Sequence, residues 1–449
     1  MKFIQPTNKN YAATICVLGP ITTLEEGPMG QKKCDNVVGS TVLGNRVIVS
    51  KGNAEGQLGV YFPIESQLDA KFLFENNLNS DASLNKDQTK KGYVSKGRIR
   101  CVAFQGHRAE GLFLPISCLD FVANGNSINW PIGQDFEAIE INGTVYAICK
   151  KYIPGGISKP NRSGTGTKKS VQPRVSRIVD EQFHLHCDTE NLRKNISAIR
   201  PDDIVSITNK KHGTSAVTGR VLVKRKRSVL ENFCAKFNWL QRFAGPELEY
   251  GIVFSSRSII KNAYFTSNVD HNDLWTIAAN KIASVIPAGT TLYYEIVGYQ
   301  PSGKAIQSGY GYGCNPGEFR IEIYRITQIN SENIVTELSF GQIKNFCNSK
   351  GLNHVEQFYY GAAKDIFPEI PVDANWHDNL LAKLQASYNL EKPCKDNANK
   401  VPAEGIVIRV DNMFKPMAYK LKSFAFLKKE TKDLDAGIVD TETEQSNNV

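Results

Sequence analysis

The stretch Thr208-Asn209-Lys210-Lys211-His212-Gly213-Thr214-Ser215 follows the apolar run Ile204-Val205-Ser206-Ile207, and its reading decides the fold. Side chains alternate along a strand, so Thr208 and Lys210 share one face and Lys211 takes the other. Gly213 then ends the strand in a tight turn. A lysine at a strand end before a turn can be held against a bound phosphate. A solvated turn carrying two lysines would have the same letters, so this motif needs partners elsewhere.

Two further stretches supply them. Glu404-Gly405-Ile406-Val407-Ile408-Arg409 reads as a strand that starts with an acid, and Tyr419-Lys420-Leu421-Lys422-Ser423 follows it. Lys420 and Lys422 lie two apart and point to one face of a strand. Two like charges on one face repel unless an anion lies between them, and a nucleotide phosphate is such an anion. A polar edge strand guarded against aggregation would look the same. Upstream, Leu292-Tyr293-Tyr294-Glu295-Ile296-Val297-Gly298 puts a carboxylate inside an apolar strand. A buried acid needs a metal, a sugar hydroxyl or a cation as partner, and a structural ion pair would also serve.

In order along the chain, these pieces resemble the covalent nucleotidyltransferases, the ligases and capping enzymes. Lys210 to Gly213 matches the nucleophile motif, and Ser255-Ser256-Arg257 an Arg-bearing strand. Glu295 to Gly298 matches an acid strand ending in Gly, and Phe319-Arg320-Ile321-Glu322-Ile323-Tyr324 an aromatic strand. Glu404-Gly405 and Lys420 to Lys422 complete the set, which covers roughly residues 180 to 427. Within the superfamily, His212 in the nucleophile motif and the closing Lys-Leu-Lys-Ser are similar to the ATP-dependent RNA ligases. The N-terminal stretches Gly59 to Leu68, Gly97 to Arg100 and Glu110 to Pro115 look like the OB-type module of the Deinococcus/Naegleria kind.

The resemblance implies roles. Lys210 would attack the α-phosphorus of ATP, with Lys420 and Lys422 offsetting the charge that builds there. Arg257 would hold the RNA 5′-phosphate or the AMP phosphate. Glu295 would contact the ribose, and Glu404 would orient metal-bound water. Thr208, His212 and Gly213 would flank the nucleotide. Phe319 would stack on adenine, with Tyr324 on the other face of its strand. Glu404, Glu295 and Glu322 are the candidates for Mg²⁺ or Mn²⁺. Two positions depart from the pattern: Asn209 stands where a Glu often precedes the nucleophile, and His212 replaces an acid.

The bulk properties agree. The 449 residues carry 54 Lys and Arg against 45 Asp and Glu, a net charge of +9. A basic excess suits a polyanionic partner, here RNA bearing 5′-phosphate and 3′-hydroxyl ends. Ten scattered cysteines without a CxxC pair suggest a reduced, intracellular protein, in the cytoplasm, that of the host if the protein is viral. No signal peptide is expected, and no apolar run nears the ~18 residues of a membrane helix. Phe183-His184-Leu185-His186-Cys187-Asp188 lacks the second ligand pair of a zinc site.

The expected fold class is α+β: an N-terminal OB-like β-barrel and a C-terminal α/β nucleotidyltransferase of antiparallel sheets with flanking helices. Residues 1–153 would form the RNA-binding barrel, with Lys96, Arg98 and Arg100 as phosphate contacts, and 154–174 a Gly/Ser/Pro/Lys-rich linker. Residues 175–432 would form the catalytic domain, with helices at Leu230–Phe243 and Asn375–Tyr388, and 433–449 a disordered acidic tail. The basic run Lys224-Arg225-Lys226-Arg227 suits either RNA phosphates or solvent. An ATP-dependent RNA ligase acting as a monomer is the favoured reading. A GTP-dependent capping enzyme and a catalytically silent RNA-end-binding protein are the rivals, and a covalent nucleotide label separates the three.

Overall fold

Alternation in Ile204–Lys210 builds the first element of the C-terminal region. Val205 and Ile207 are fully buried on one face, while Ser206, Thr208 and Lys210 lie on the other. The computed structural model describes residues 1–123, 125, 128–154, 175–265, 270, 272–388, 390–412 and 416–438. The expected linker, apart from Pro154, therefore lies outside the described residues.

The C-terminal strands are β1 (Ile204–Lys210), β2 (Thr214–Lys224), β3 (Leu248–Ser256), β4 (Thr290–Gly298), β5 (Phe319–Ile329), β6 (Gln357–Ala362), β7 (Gly405–Val410) and β8 (Met417–Lys422). They form two sheets. One runs β8-β7-β1-β6, antiparallel throughout, with Glu190–Asn191 added in parallel at the β8 edge. The other runs β3-β2-β4-β5, also antiparallel, extended by Val335–Glu337.

The helices are α1 (Leu274–Ile282), α2 (Phe340–Lys350), α3 (Trp376–Gln385) and α4 (Phe424–Asp435). Helix α3 buries Trp376, Leu380, Leu381 and Leu384 against Val205, Ile207, Ile406, Ile408 and Leu421. Helices α1 and α2 bury Trp275, Ala278, Phe340 and Ile343 against Leu292, Tyr294, Ile296 and Ile323 of the second sheet. The chain crosses between the sheets at Lys211-His212-Gly213. No larger residue fits at Gly213, because a Cβ would lie 2.3 Å from the Ile296 carbonyl oxygen and 2.9 Å from Glu295 Cγ. The glycine is required by this close approach to β4.

The N-terminal residues form small antiparallel sheets around Ile15, Val60, Phe62, Phe72, Phe136 and Ile139. The largest has four strands, and among the described residues none of these sheets closes into a barrel. The mixed α+β class holds, whereas the closed barrel does not appear in the strand pairing. Residues 98–101 form no strand; Arg98 makes an isolated bridge to Gln67, and a strand begins at Val102.

Buried ion pairs tie the N-terminal region to the catalytic sheets. The Arg98 guanidinium, 4% exposed, grips Glu65 through two bonds of 2.6 and 2.7 Å and Asp435 of α4 at 2.9 Å. Glu65 and the Cys101 amide also bond the Thr431 hydroxyl on α4. Arg193 pairs with Glu110 at 3.0 Å, and Lys194 with Asp135. These contacts correct two expectations. Arg98 is a buried clamp with no face free for RNA, because its donors go to Glu65, Asp435 and the Thr431 carbonyl. Helix α4 runs on to Asp435, so ordered structure passes the expected end at 432, and residues 439–449 lie outside the described residues.

The helix expected over Leu230–Phe243 is also corrected. It is α-helical only over Val229–Cys234, behind a Ser228/Glu231 capping box, with a short 3₁₀ turn at Gln241–Phe243. The apolar residues of this segment stay exposed, so little packing supports a longer helix.

Candidate active site

The nucleophile candidate stands where β1 ends. Lys210 pairs in register with Gly405, which puts its side chain beside the residue before that glycine. Its Nζ lies 2.8 Å from Glu404 Oε1. Glu404 is buried, and its Oε2 has no hydrogen-bond partner among the described residues. Burial raises the Glu404 pKa, but the Lys210 and Lys422 charges outweigh it and leave the carboxyl below its ordinary range.

β8 supplies two more cations on the same face. Lys422 pairs with Gly405 across the sheet and Lys420 with Val407. Lys422 Nζ lies 3.9 Å from Glu404 Oε1 and 2.9 and 3.0 Å from the two oxygens of Glu430 on α4. Burial opposes its charge, but Glu430 and Glu404 prevail and raise its pKa. Among the described residues Lys420 has no such pair of carboxylates. Burial and the charges of Lys422 and Lys210 push it down to about 7, against the pull of Asp188.

The second sheet closes the site from the other side. Arg257, just beyond β3, pairs with Asp188, which also accepts from Asn8 Nδ2 at 2.6 Å. Burial favours the protonated acid, yet the Arg257 and Lys420 charges bring Asp188 down to about 2. His186 Nδ1 lies 2.8 Å from the Tyr324 hydroxyl, which is 3.1 Å from Ser215 Oγ. Burial and the Arg257 charge lower His186 to about 3, so it is a neutral imidazole. Tyr11 of the N-terminal region lies half-buried near this cluster, and desolvation raises its pKa to about 12.

Most of the sequence candidates thus converge. Lys210, Glu404, Lys420, Lys422 and Arg257 lie in one electrostatic cluster, and Thr208 is buried one step back on the Lys210 face of β1. Glu295 Oε1 accepts the Gly213 amide at 3.0 Å and so fixes the turn after the lysine. Glu322 lies directly opposite Glu295 and pairs with Lys211 at 3.1 Å. The three expected metal carboxylates therefore have separate partners, and among the described residues no group of three or more His, Cys, Asp or Glu gathers to hold a metal. His212 is half-buried between Tyr310 and Phe426, whose ring centroids lie 5.0 and 4.9 Å away in T-shaped contacts, and desolvation lowers its pKa.

Phe319 is not brought to the site. It packs on the opposite face of β5 against the α1–α2 core, with Lys281 Nζ 3.9 Å above its ring. The aromatic side chain of β5 on the site side is Tyr324. A cavity of about 330 Å³ also lies beside β1, lined by Asn209, Lys211, Arg320, Glu322, Phe358 and Tyr388, but the Lys210, Lys420 and Lys422 side chains do not border it.

Sequence reading missed Asp188, Tyr11 and Glu430. Asp188 ends the His-rich stretch weighed for zinc, and nothing in that stretch announces its partner Arg257. Glu430 lies in the run Lys428-Lys429-Glu430-Thr431-Lys432, which reads as a solvated helix face.

No protein-family model and no curated protein sequence matches this chain. Solved structures do. Naegleria gruberi RNA ligase with PPi matches with a TM-score of 0.55 at 17% identity, covering 95% of this chain and 100% of that one. A mutant of the same ligase with ATP and Mn matches at 0.56 and 16%, covering 94% and 99%. Another with AMP and Mn matches at 0.54 and 18%, covering 94% and 99%. The chain has the fold of these structures along almost its whole length.

Proposed function

We propose that this chain is an ATP-dependent RNA ligase that carries AMP on Lys210. The observation that carries the proposal is the placement of the Lys210 amine 2.8 Å from the buried Glu404 carboxylate, with Lys420 and Lys422 both on β8, across β7 from the Lys210 strand. The fold shared with Naegleria gruberi RNA ligase, whose structures hold ATP, AMP, PPi and Mn, supports it.

The chemistry runs in three steps. In the first, the Lys210 nitrogen bonds to the α-phosphorus of ATP, the bond to pyrophosphate breaks, and the amine loses a proton. A lysine ordinarily holds that proton to a pKa of ~10.4, so it has to be taken up nearby, and the Glu404 carboxylate is the group in reach. Lys420 and Lys422 offset charge on the α-phosphate oxygens as the phosphorus passes through a five-coordinate transition state. In the second step an RNA 5′-phosphate oxygen bonds to the AMP phosphorus, the Lys210 N–P bond breaks and the amine regains a proton; Arg257 would hold that RNA phosphate. In the third, a 3′-hydroxyl loses its proton, its oxygen bonds to the RNA phosphorus, and the bond between the two phosphates breaks to release AMP.

The unpartnered Glu404 Oε2 fits a divalent cation or its water. When bound, Mg²⁺ or Mn²⁺ would neutralise ATP phosphate charge there. Residues 1–153 act in this reading as the RNA-holding, OB-type module, with the stretch to 174 as linker. The ten unpaired cysteines suit a reducing cytoplasm.

Incubation with α-labelled ATP or GTP, followed by a nicked RNA duplex, tests the proposal. It requires a covalent label from ATP and not GTP, and conversion of the nick to a continuous strand. Label from GTP alone would indicate a capping enzyme, and absence of label a binding protein.

A further inference from the structure

Between β2 and β3 the chain makes an excursion that the catalytic cluster does not use. From Lys224 to Phe243 it carries six Lys and Arg against one acid, Glu231. It is also the most exposed apolar segment described. Trp239 is 74% exposed and Phe243 57%, with Val229, Leu230, Phe233 and Phe237 open to solvent beside them. Large apolar side chains exposed together in one short segment mark a contact surface.

The segment nevertheless has a fixed shape. Arg225 Nη2 donates to Glu231 at 2.6 Å and to the Ala244 carbonyl at 3.3 Å, while its Nε donates to the Pro246 carbonyl at 3.0 Å, closing the base of the excursion. Phe233 and Phe237 pack at 5.1 Å, and the Arg242 guanidinium lies 4.8 Å over Phe243. Lys224, Lys226, Lys236 and Arg242 are exposed among these rings.

Exposed rings interleaved with lysine and arginine suit one class of partner better than others. A base offers each ring a flat face, and the phosphate beside it meets a cation. A protein partner would favour a surface depleted of lysine. A membrane-surface helix needs more length than the six residues Val229–Cys234.

We propose that this arm, residues 224–243, is a second RNA-binding surface that grips the substrate strand away from the join. The inference rests on the RNA-ligase reading. The strands that carry the arm fix its reach: β2 begins at Thr214, beside the nucleophile turn, and β3 ends at Ser256, beside Arg257. The 11 residues of β2 span about 33 Å at ~3.3 Å per residue. That corresponds to about ten steps of stacked nucleotides at ~3.4 Å each.

The test compares wild type with Trp239→Ala/Phe243→Ala and with Lys226→Ala/Lys236→Ala. Lysyl-AMP formation from ATP should be unchanged in both variants. The KM for a nicked RNA duplex with long flanks should rise by about tenfold or more, and filter binding of the same RNA should weaken in parallel. With flanks much shorter than ten base pairs, wild type and variants should converge. Unchanged KM and RNA affinity in both variants would overturn the proposal. So would loss of binding to phosphatidylserine vesicles in the variants with RNA binding intact, since that identifies a membrane surface. If wild type takes no label from ATP, the ligase reading fails, while the filter-binding comparison still decides whether the arm binds RNA.

Discussion

Arg98→Ala removes the clamp between the N-terminal region and α4, and its cost can be worked from the structure. The guanidinium makes a two-bond pair with Glu65, a third bond to Asp435 and a fourth to the Thr431 carbonyl, with Arg98 and Glu65 almost fully buried. Deleting one partner of a buried pair leaves the other charge uncompensated, at a cost of about 3–5 kcal/mol. That is a large share of the ~5–15 kcal/mol that hold a domain together. Part of the cost is recoverable. Burial already raises the Glu65 pKa, and loss of Arg98 raises it further, so the folded variant binds a proton that the unfolded chain releases. Stability of the variant therefore rises as pH falls toward the unfolded carboxylate value of ~4.3, and the gap to wild type narrows.

The loss also reaches the active site. Thr431 is held by Glu65 at 3.0 Å and by the Cys101 amide at 3.2 Å, and its neighbour Glu430 holds Lys422. Adenylylation should fall along with stability. Thermal unfolding at pH 7.5 and 5.5, read beside the rate of enzyme-AMP formation, tests this. The melting temperature should drop by several degrees at pH 7.5 and by clearly less at pH 5.5, at roughly 2 °C or more per kcal/mol. Arg98→Lys should recover part of the loss, because it restores the charge without the two-pronged geometry. An Arg98→Ala protein that melts with wild type at pH 7.5 would refute the reasoning.

Three further outcomes follow from the site. Lys420, held near 7 by burial and its cationic neighbours, is largely neutral at pH 8 in the free enzyme, and bound ATP phosphates raise its pKa; calorimetry in buffers of different ionisation enthalpy should show proton uptake on ATP binding at pH 8, lost in Lys420→Met. Glu430→Gln withdraws the carboxylate that holds Lys422, so the adenylylation rate should fall by about tenfold or more, with Glu430→Asp between it and wild type; equal rates in all three would show that Lys422 is placed without it. Phe319→Ala should lower stability by about 2 kcal/mol through lost packing on α1 and leave the KM for ATP within about twofold, whereas Tyr324→Ala should raise that KM; a Phe319 effect on KM alone would restore the stacking role.

The parts of the site legible in the sequence are those set by local geometry. Lys210, Lys420 and Lys422 sit on strands whose period of two is written in the apolar residues between them, and Glu404 immediately precedes such a strand. Gly213 marked the turn, although the space it leaves is for β4. Phe319 and Tyr324 both lay on a readable strand, but which face meets the site depends on how β5 pairs with β4, and a register shift at Tyr293/Tyr294 hides that from local pattern. Arg98, Glu65 and Glu430 were illegible for a different reason. Their partners lie 8 to 366 residues away, and a buried ion pair leaves no periodic trace. The segment Leu230–Phe243 read as a helix, yet its large apolar side chains stay mostly exposed, so composition alone overstated its length.

The central claim is that Lys210 carries the nucleotide. Lys211, its neighbour in the same motif, faces the other way, bonded to Glu322 at 3.1 Å with the Tyr312 ring 5.4 Å from its Nζ. Protein incubated with ATP and Mg²⁺, digested and mapped by mass spectrometry, decides between them. An AMP adduct on Lys210, no adduct in Lys210→Ala, and a largely retained adduct in Lys211→Ala are the expected results. An adduct on Lys211, or equal loss in both variants, would contradict the claim.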